Sequence, residues 1–523
     1  MLIVRPALPI DETRYLAAAW EMWWRDSVAV PYLNGDLYAG KPPLFFWLMH
    51  LGWWVFGVND WWPRLVAPFF GLGSLFLVRA IAARLWANAA TTEAAPWLLL
   101  GSLLWAGFCA STMFDMLLGF FALLSVYAII RAWRDSDMKF FAVAGLALGF
   151  GILAKGPVTF LPALFIVLSA PWWANDPGST RVTWSKWYRS ALGAVGISAL
   201  VALAWLIPMA LGSNFDYVMN LTVKQTVGYT VNSFSHARPF WWYLPLLPLL
   251  LFPWTVWPRA WKAVGAMRGA WADGGVRLCL VWTVAVLIAF SLISGKRAHY
   301  MLLFFPAVAL LLARLLPMVE RNRDYSVFLP ALVHVGVGAL LFAVAQGLIS
   351  VGKVPWLSDM PPFPLYVTGT ALLGLGIAIA ACHGRDLGAR VKVLSVATCV
   401  MVVAITWGLM RASWPAYDVR PTSLYLASLE AQGAPLAAIT RYDSEYIFYG
   451  RMKTRIEKIL GTAAEQWARA NSGGYVLAFY HSGNWPPAGV PAPALEVRYR
   501  GGTMVVWRAG DIVAHPRIAQ TFE

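Results

Sequence analysis

Acidic and basic side chains stand at the ends of long apolar segments in this sequence. Asp11 and Glu12 precede "TRYLAAAWEMWW", Asp115 lies in "ASTMFDMLLGFF", and Lys155 lies in "GILAKGPVTF". A carboxylate can exchange protons or accept hydrogen bonds, and a fixed ammonium can bind an anionic group such as a phosphate. These residue types are therefore suited to a site for an anionic ligand.

Two of these residues also have a structural explanation. Asp11 precedes a short amphipathic surface helix, where an acid can cap the N-terminus and favour the helix dipole. Lys155, followed by Gly-Pro, fits a lysine that extends its ammonium to the membrane interface. For Asp115 the functional interpretation is favoured, because an acid among apolar residues is costly without a partner or a task.

Further cations and aromatic residues stand between apolar segments. Lys41 follows Tyr38 in "YLNGDLYAGKPPL", and "SGKRAHY" contains Lys296, Arg297 and Tyr300. A buried anionic ligand such as a phosphate would explain these cations. The loop 213–246 is long, polar and aromatic, which is typical of a functional lid. Its His236 has no His or Cys at ligand spacing, so a metal role is weak.

The elements that carry these residues are those of a polytopic membrane protein. The chain has 523 residues, of which 59% are hydrophobic and 13% charged, whereas a soluble domain has roughly 25% charged residues. Its formal charge of +15 comes from cations in short loops, which argues against a nucleic-acid-binding face. The four cysteines are far apart without CxxC spacing, so neither a disulfide framework nor a zinc site is expected.

A membrane span needs about 20 apolar residues, and on that measure the sequence predicts twelve spans. They are 62–84, 94–112, 114–132, 138–154, 157–174, 189–211, 240–258, 276–294, 299–317, 326–349, 363–382 and 393–411. The shorter run 42–57 begins with two prolines and is expected to be an interfacial or re-entrant helix.

The distribution of Lys and Arg orients these spans. One set of loops holds 18 cations and the opposite set holds 8, so the first set is predicted to be cytoplasmic. The first set is 79, 84, 131, 134, 139, 181, 186, 189, 259, 262, 268, 277, 314, 321, 323, 385, 390 and 392; the second is 64, 155, 224, 238, 296, 297, 353 and 411. Asp11, Lys41, Asp115 and Lys155 are then expected on the outer face.

The last part of the chain changes character. "PLAAITRY", "GYVLAFYH", "ALEVRYR" and "TMVVWRA" predict strands, and "GTAAEQWARAN" predicts a helix. The sequence thus predicts an all-α membrane domain at 1–411, with surface helices in a first outer loop at 8–61. A small outer α/β domain is expected at 412–523.

Several motifs in fixed order resemble a known family. From residue 8 to about 315 they are "IDETRY", "AWEMW", "PYLNGDLYAGKPPLFFWL", "STMFDMLLGFF", "GFGILAKGP", "HARPFWWYLP" and "SGKRAHYMLLFFP". This order resembles the bacterial lipid-linked-sugar glycosyltransferases of the GT-C class, in particular the 4-amino-4-deoxy-L-arabinose lipid A transferases and their protein O-mannosyltransferase-like relatives. The resemblance implies thirteen membrane helices, of which the first would precede Asp11, and an outer soluble domain.

The resemblance also implies a reaction and a site. A sugar would move from a polyprenyl phosphate, such as undecaprenyl phosphate, to lipid A, another glycan or a protein at the periplasmic face of a bacterial inner membrane. Asp11 and Asp115 match the catalytic acids of the family. Donor phosphate binding is expected of Lys41, Lys155, Arg238, Lys296, Arg297 and Tyr300, and contacts to the acceptor or a lid are expected of Glu12, Tyr38 and His236.

Two positions depart from the family pattern. Gly40 stands where the family often has Glu, which weakens any divalent metal site, and Tyr229 stands where it often has Arg. Two other classes remain open from the residues themselves. A lipid transporter or flippase would use intramembrane charges along its path, although no internal repeat is evident. A scaffold with a binding domain would leave Asp115 and Lys155 unexplained.

Overall fold

The computed structural model describes residues 4–175, 182–212, 237–319, 323–349, 360–439, 442–481, 485 and 489–520. The chain divides into two compact units. The first comprises Met1–Leu2, Ala39–Leu48 and Trp61–Leu409, and the second comprises Ile3–Tyr38, Met49–Asp60 and Met410–Glu523. Each unit is described by itself.

Helices dominate the chain up to residue 409. In chain order the elements are α1 (Asp11–Trp24), β1 (Tyr32–Leu33), β2 (Asp36–Leu37), α2 (Leu44–Phe56), α3 (Trp61–Leu85), α4 (Ala89–Leu100), α5 (Leu103–Phe108), α6 (Asp115–Arg134), α7 (Phe140–Lys155), α8 (Phe160–Leu168), α9 (Ala170–Trp173), α10 (Trp184–Gly212), α11 (Tyr243–Leu250), α12 (Pro258–Gly265), α13 (Gly274–Leu292), α14 (Phe305–Leu315), α15 (Phe328–Ala345), α16 (Pro362–Ala381) and α17 (Leu387–Ala404).

The remaining elements mix helices and strands. They are α18 (Arg420–Ala431), β3 (Leu436–Ala438), α19 (Ile447–Gly450), β4 (Glu457–Lys458), α20 (Ala464–Ala470), β5 (Tyr475–His481), β6 (Leu495–Tyr499), β7 (Gly502–Arg508), α21 (Ala509–Ala514) and α22 (Arg517–Gln520).

Seven helical segments among the described residues are long and apolar enough to cross a membrane. They are Trp61–Leu85, Asp115–Arg134, Trp184–Leu211, Gly274–Leu292, Tyr325–Ala345, Pro362–Gly384 and Leu387–Ala431. Each overlaps a span expected from the sequence, so the multi-pass helical class is confirmed. The other expected spans correspond to shorter helices or to helices in pieces, and the count of twelve stays a prediction.

Two segments that hydropathy predicts as single helices are interrupted. The run 94–112 divides into α4 and α5 at Gly101 and Ser102, and Gly101 packs so closely that a Cβ there would lie 2.6 Å from Ser395 Oγ and 2.7 Å from the Trp254 ring. The run 240–258 divides into a 3-10 turn at Phe240–Trp242, α11, and a second 3-10 turn at Trp254–Val256. Helix α11 contains Pro248 and ends at Leu250, before Pro253, which supplies no N–H to continue a helix. Continuous helices at 94–112 and 240–258 are therefore wrong.

Close packing of α6, α7 and α10 brings particular helix ends together. Gly145 and Gly149 of α7 lie against α10, where added Cβ atoms would approach Ala194 O and Val201 Cβ to 2.6 Å. Small residues four apart permit such close helix contacts in membrane proteins. Since α6 and α7 are consecutive, packed helices joined by a short connection, the start of α6 and the end of α7 lie at the same end of the pair.

The second unit contains the sheet. Its five strands are ordered β4-β3-β5-β7-β6, with β3 parallel to both β4 and β5, and β7 antiparallel to β5 and β6. Val476, Val505 and Trp507 are fully buried in its core. All four strands expected from the sequence are present, and β4 is an additional one.

Helix α1 is fixed within the second unit by hydrogen bonds to the C-terminal part of the chain. Trp20 Nε1 donates to Met452 O at 2.9 Å. Asn34, in the turn between β1 and β2, donates from Nδ2 to Ile456 O at 2.8 Å and accepts from Ile456 N at 3.0 Å. The chain around α1 and the C-terminal residues thus build one framework for Asp11.

Candidate functional site

The central feature of the first unit is a buried ion pair between Asp115 and Lys155. Asp115 is the first residue of α6 and is 3% exposed, and Lys155 is the last residue of α7. Lys155 Nζ donates a hydrogen bond to Asp115 Oδ1. The helix dipoles favour an acid at an N-terminus and a cation at a C-terminus, so both positions suit their charges. Pairing offsets the cost of burying each ion.

Gly156 determines where the Lys155 helix stops. Its φ of +91° lies outside the conformations that residues with a side chain readily adopt. Its N–H still donates to Ile152 O at 2.8 Å, after which the chain turns away into Pro157. The Gly-Pro pair noted in the sequence therefore holds Lys155 at the end of α7.

His299 and Tyr300 complete the surroundings of this pair. His299 Nε2 lies 3.9 Å from Asp115 Oδ1, and Lys155 Nζ lies 5.2 Å from the centre of the Tyr300 ring. Phe108 packs on the His299 ring at 5.1 Å, and Phe290 packs on the Tyr300 ring at 5.5 Å. Asp115, Lys155, His299 and Tyr300 are called the Asp115 cluster below.

Lys41 lies near enough to act electrostatically on Asp115. The segment that follows it packs on the start of α6, because Phe45 and Phe46 contact the ring of the buried Phe114 at 4.7 and 5.4 Å. Two of the cations expected to share one face, Lys41 and Lys155, therefore act on a single carboxylate.

The remaining cations of the expected donor site have other arrangements. Lys296 is buried, and its Nζ donates to Arg238 O at 3.1 Å and to Ile293 O. Arg238 has an exposed side chain, and its N–H donates to Ser294 O at 3.2 Å. Arg297 is half-buried, and its carbonyl accepts from Tyr243 Oη at 3.1 Å. Lys296 thus fastens the chain around Arg238 to the turn that carries His299.

Asp11 lies in the second unit, at the start of α1, where the N-cap residue is Ile10. An N-cap role for Asp11 is therefore wrong. Arg14, one turn later, donates from Nη2 to Asp11 Oδ1, and its Nη1 lies 3.5 Å from Asp443 Oδ1. Burial alone would lower the pKa of Arg14, but the charges of Tyr38 and Asp11 outweigh it and raise that pKa.

Glu12 forms an ion pair with Arg5. Its two oxygens accept from Nη1 and Nη2 of Arg5, both at 2.6 Å, and Oε2 also accepts from Leu8 N at 2.8 Å. Both ions are buried. This bidentate pair ties the chain before α1 to the helix. The acceptor contact expected of Glu12 stays a prediction.

His236 and most of the long loop lie outside the described residues, so the expected lid stays a prediction. Within the described ranges, no three His, Cys, Asp or Glu side chains are grouped closely enough to hold a metal ion.

Three contacts of these residues are difficult to predict from the sequence, to different degrees. Arg14 stands three residues after Asp11, and this spacing on a helix could have suggested their pair. His299 was visible beside Tyr300, yet nothing local placed it against Asp115. Asp443 lies more than 400 residues from Arg14, and no local pattern indicates such a contact.

The Asp115 cluster has the chemistry of an anion site. A lysine ammonium has three N–H donors, so Lys155 can bind Asp115 and still donate to a phosphate oxygen. Lys41 adds a second cation. In surroundings poor in water, such fixed charges stabilise a developing negative charge strongly.

Comparison with known proteins first indicates a class. Residues 40–207 match the family model described as dolichyl-phosphate-mannose-protein mannosyltransferase. This range contains Lys41, Asp115 and Lys155. The predicted resemblance to glycosyltransferases that use lipid-linked sugars is thereby confirmed.

More specific similarities follow. The undecaprenyl phosphate-alpha-4-amino-4-deoxy-L-arabinose arabinosyl transferase of Erwinia tasmaniensis is 27% identical over 371 residues, which cover 68% of this chain and 63% of the relative. The protein of the same name from Edwardsiella ictaluri is 26% identical, with coverage of 70% and 65%. The chain thus spans slightly less than two thirds of these relatives' lengths.

The fold is similar to a solved one. ArnT from Cupriavidus metallidurans in the apo state superimposes with a TM-score of 0.74 at 18% identity, covering 98% of this chain and 95% of that chain. The structure of the same protein bound to undecaprenyl phosphate gives 0.72 at 19% identity, covering 97% and 95%. These matches show a shared fold.

Proposed function

We propose that the protein is a glycosyltransferase that moves a sugar from a polyprenyl phosphate, specifically undecaprenyl phosphate, to lipid A or another envelope acceptor. The observation that carries this proposal is the buried Asp115–Lys155 pair with His299 beside it and Lys41 in electrostatic range. Buried charges of this kind at helix ends suit an anionic substrate group better than a structural role. The relatives' names, which specify an undecaprenyl-phosphate-linked aminoarabinose, support the same chemistry.

The proposed reaction is a displacement at the anomeric carbon with inversion. An acceptor oxygen forms the new bond to that carbon while the bond from carbon to the phosphate oxygen breaks. The bonding electrons leave with the phosphate, which becomes free undecaprenyl phosphate. When the acceptor is a hydroxyl, its proton passes to a carboxylate; when it is a phosphate of lipid A, no proton need be removed.

Lys155 and Lys41 would stabilise the charge that develops on the departing phosphate. Asp115 would hold Lys155 in place through their ion pair, and the Tyr300 ring would limit its movement. Arg238 and Arg297 are proposed as further phosphate contacts, and Lys296 would position Arg238 through its carbonyl. Asp11 is proposed to orient or deprotonate the acceptor, on the strength of its match to the family motif.

We also propose the finer topology. The chain would cross a bacterial inner membrane twelve times, with α2 lying at the membrane surface, and the Asp115 cluster and the C-terminal residues would face the periplasm. The excess of 18 cations over 8 in alternate loops supports this orientation. The reaction would then occur where lipid A is accessible.

Asp115→Asn tests the role of the cluster. Reconstituted protein is supplied with undecaprenyl-phosphate-linked aminoarabinose and lipid A, and sugar transfer is followed by mass spectrometry. The variant should reduce kcat by about a hundredfold or more, as the loss of a group that organises charge in the transition state does.

The matched control is Asp135→Asn, just beyond the other end of the same helix. Asp135 pairs with Arg84 at 2.8 Å and with Arg131 at the surface, and such pairs contribute at most about 1 kcal/mol. Its activity should stay within about twofold of wild type. Equal turnover by Asp115→Asn and wild type would remove the basis of the proposal.

A further inference from the structure

Arg14 is shared between two carboxylates that come from distant parts of the chain. It hydrogen-bonds Asp11 within α1, and its Nη1 approaches Asp443 Oδ1 to 3.5 Å. All three side chains are partly buried, with exposed fractions of 21% for Arg14, 30% for Asp11 and 17% for Asp443. Side chains at this depth are screened by solvent less than surface ions are.

Asp443, as a second carboxylate partner, restricts the orientation of the Arg14 guanidinium. The planar guanidinium presents its N–H groups in a fixed fork, so a partner on one side sets the direction of the donors on the other. With Asp443 in place, Arg14 holds Asp11 in one orientation.

The turn that contains Asp443 has an unfavourable backbone conformation. Ser444 is fully buried and has a φ of +67°, a conformation that residues other than glycine adopt rarely. The Asp443 N–H donates to the buried Glu445 Oε2 at 2.9 Å, and the Tyr442 and Tyr446 rings stack 6.1 Å apart. Strained conformations of this kind persist mainly where a fixed geometry has a function.

Unpartnered polar atoms occur at the same turn. Among the residues that the structure describes, Tyr442 Oη, Ser444 Oγ and Tyr446 Oη are buried and have no hydrogen-bond partner. A buried hydroxyl without a partner lowers stability. Strain and unpartnered hydroxyls thus coincide at the residues that hold Asp443 against Arg14.

We propose that Asp443 is a positioning residue for the transfer reaction, which acts through Arg14 to orient Asp11. This inference rests on the proposed function. It gives the C-terminal part of the chain an indirect part in catalysis, since Asp443 is the second carboxylate partner of Arg14.

A double-variant cycle tests the coupling. In the reconstituted transfer assay, Asp443→Asn should lower kcat about tenfold with little change in KM for either substrate, and Arg14→Gln should lower it further. The two effects should not multiply, because residues in one network are coupled. Asp443→Glu, which keeps the charge, should recover part of the loss. Asp418→Asn is the control, since Asp418 forms an ion pair with the nearby exposed Arg420.

Ser444→Gly separates positioning from stability. Glycine relieves the positive φ, so the melting temperature should hold or rise, while kcat should fall because Asp443 is held less firmly. A variant that loses stability and activity together would overturn the inference, as would multiplicative losses in the cycle or full activity of Asp443→Asn. If wild-type protein transfers no sugar, the proposed function fails instead, and the two failures are therefore distinguishable.

Discussion

At the residue scale, Asp115 and Lys155 are two ions that are costly alone in apolar surroundings and become compatible as a pair. Each stands at the helix end that its charge favours, and His299 lies 3.9 Å from the same carboxylate. Because the pair is buried, removing one partner leaves an uncompensated charge, which is more damaging than losing a surface ion pair. Asp115 therefore combines a structural contribution with the proposed organisation of the donor phosphate site.

Glu445 gives a prediction of pH dependence at the same scale. Burial raises the pKa of its carboxyl, although the Asp443 N–H bond lowers it in part. Because the folded pKa is raised, this contribution to stability is fully present below the ordinary glutamate value of about 4.3 and is lost as pH rises through the raised value.

Thermal unfolding measured from about pH 4.3 upward checks this loss of stability. Glu445→Gln should lose less stability than wild type as pH rises, because a neutral amide replaces a buried acid that must ionise. Glu465→Gln controls for the loss of one carboxyl from the exposed Glu465–Arg469 pair. Parallel melting curves for wild type and Glu445→Gln across the window would contradict the prediction.

The candidate site was predictable from the sequence only as far as residue types and motifs reach. Asp115 and Lys155 stood out because each is an ion among apolar residues. Their contact with His299, and the contact of Arg14 with Asp443, depend on distant segments meeting in the fold. Glu12 also stood out as an acid beside Asp11, yet Arg5 engages both of its oxygens.

At the scale of elements, the end of α7 is the feature on which Lys155 depends. Gly156→Ala should destabilise the protein by about 1–2 kcal/mol, because an L residue resists the positive φ, and it should weaken donor binding as Lys155 shifts. Melting temperature and binding of undecaprenyl phosphate measure the two effects.

Gly193→Ala in α10, where an added Cβ meets nothing within 4 Å, should be neutral or stabilising by up to about 1 kcal/mol. Equal behaviour of the two variants would show that the φ at Gly156 does not matter.

Hydropathy predicts the helices better than it predicts their breaks. The expected spans 62–84 and 114–132 agree closely with α3 and α6, since uninterrupted apolar runs leave few alternatives. The break at Gly101 lies where that residue packs against Ser395 and Trp254, almost 300 and 150 residues away in the chain, and local composition does not reveal such contacts. The break near Pro253 had a visible local cause.

At the scale of the whole molecule, orientation in the membrane is the feature that charge distribution predicts most simply. Lys139→Cys, between α6 and α7, should react only with reagents that reach the cytoplasm, and Ser428→Cys in α18 should react with impermeant reagents from the periplasm. Both are made after replacing Cys109, Cys279, Cys382 and Cys399 with alanine. Labelling of the two positions from the same side would contradict the topology.

In the proposed reaction, sugar leaves a lipid phosphate and is joined to an acceptor. This transfer can be measured in proteoliposomes that contain the protein, undecaprenyl-phosphate-linked aminoarabinose and lipid A, with both lipid products quantified by mass spectrometry. We expect one undecaprenyl phosphate released for each sugar on lipid A, with product formation lost in both Asp11→Asn and Asp115→Asn. Movement of intact donor across the bilayer without any sugar transfer would contradict the account and identify a flippase instead.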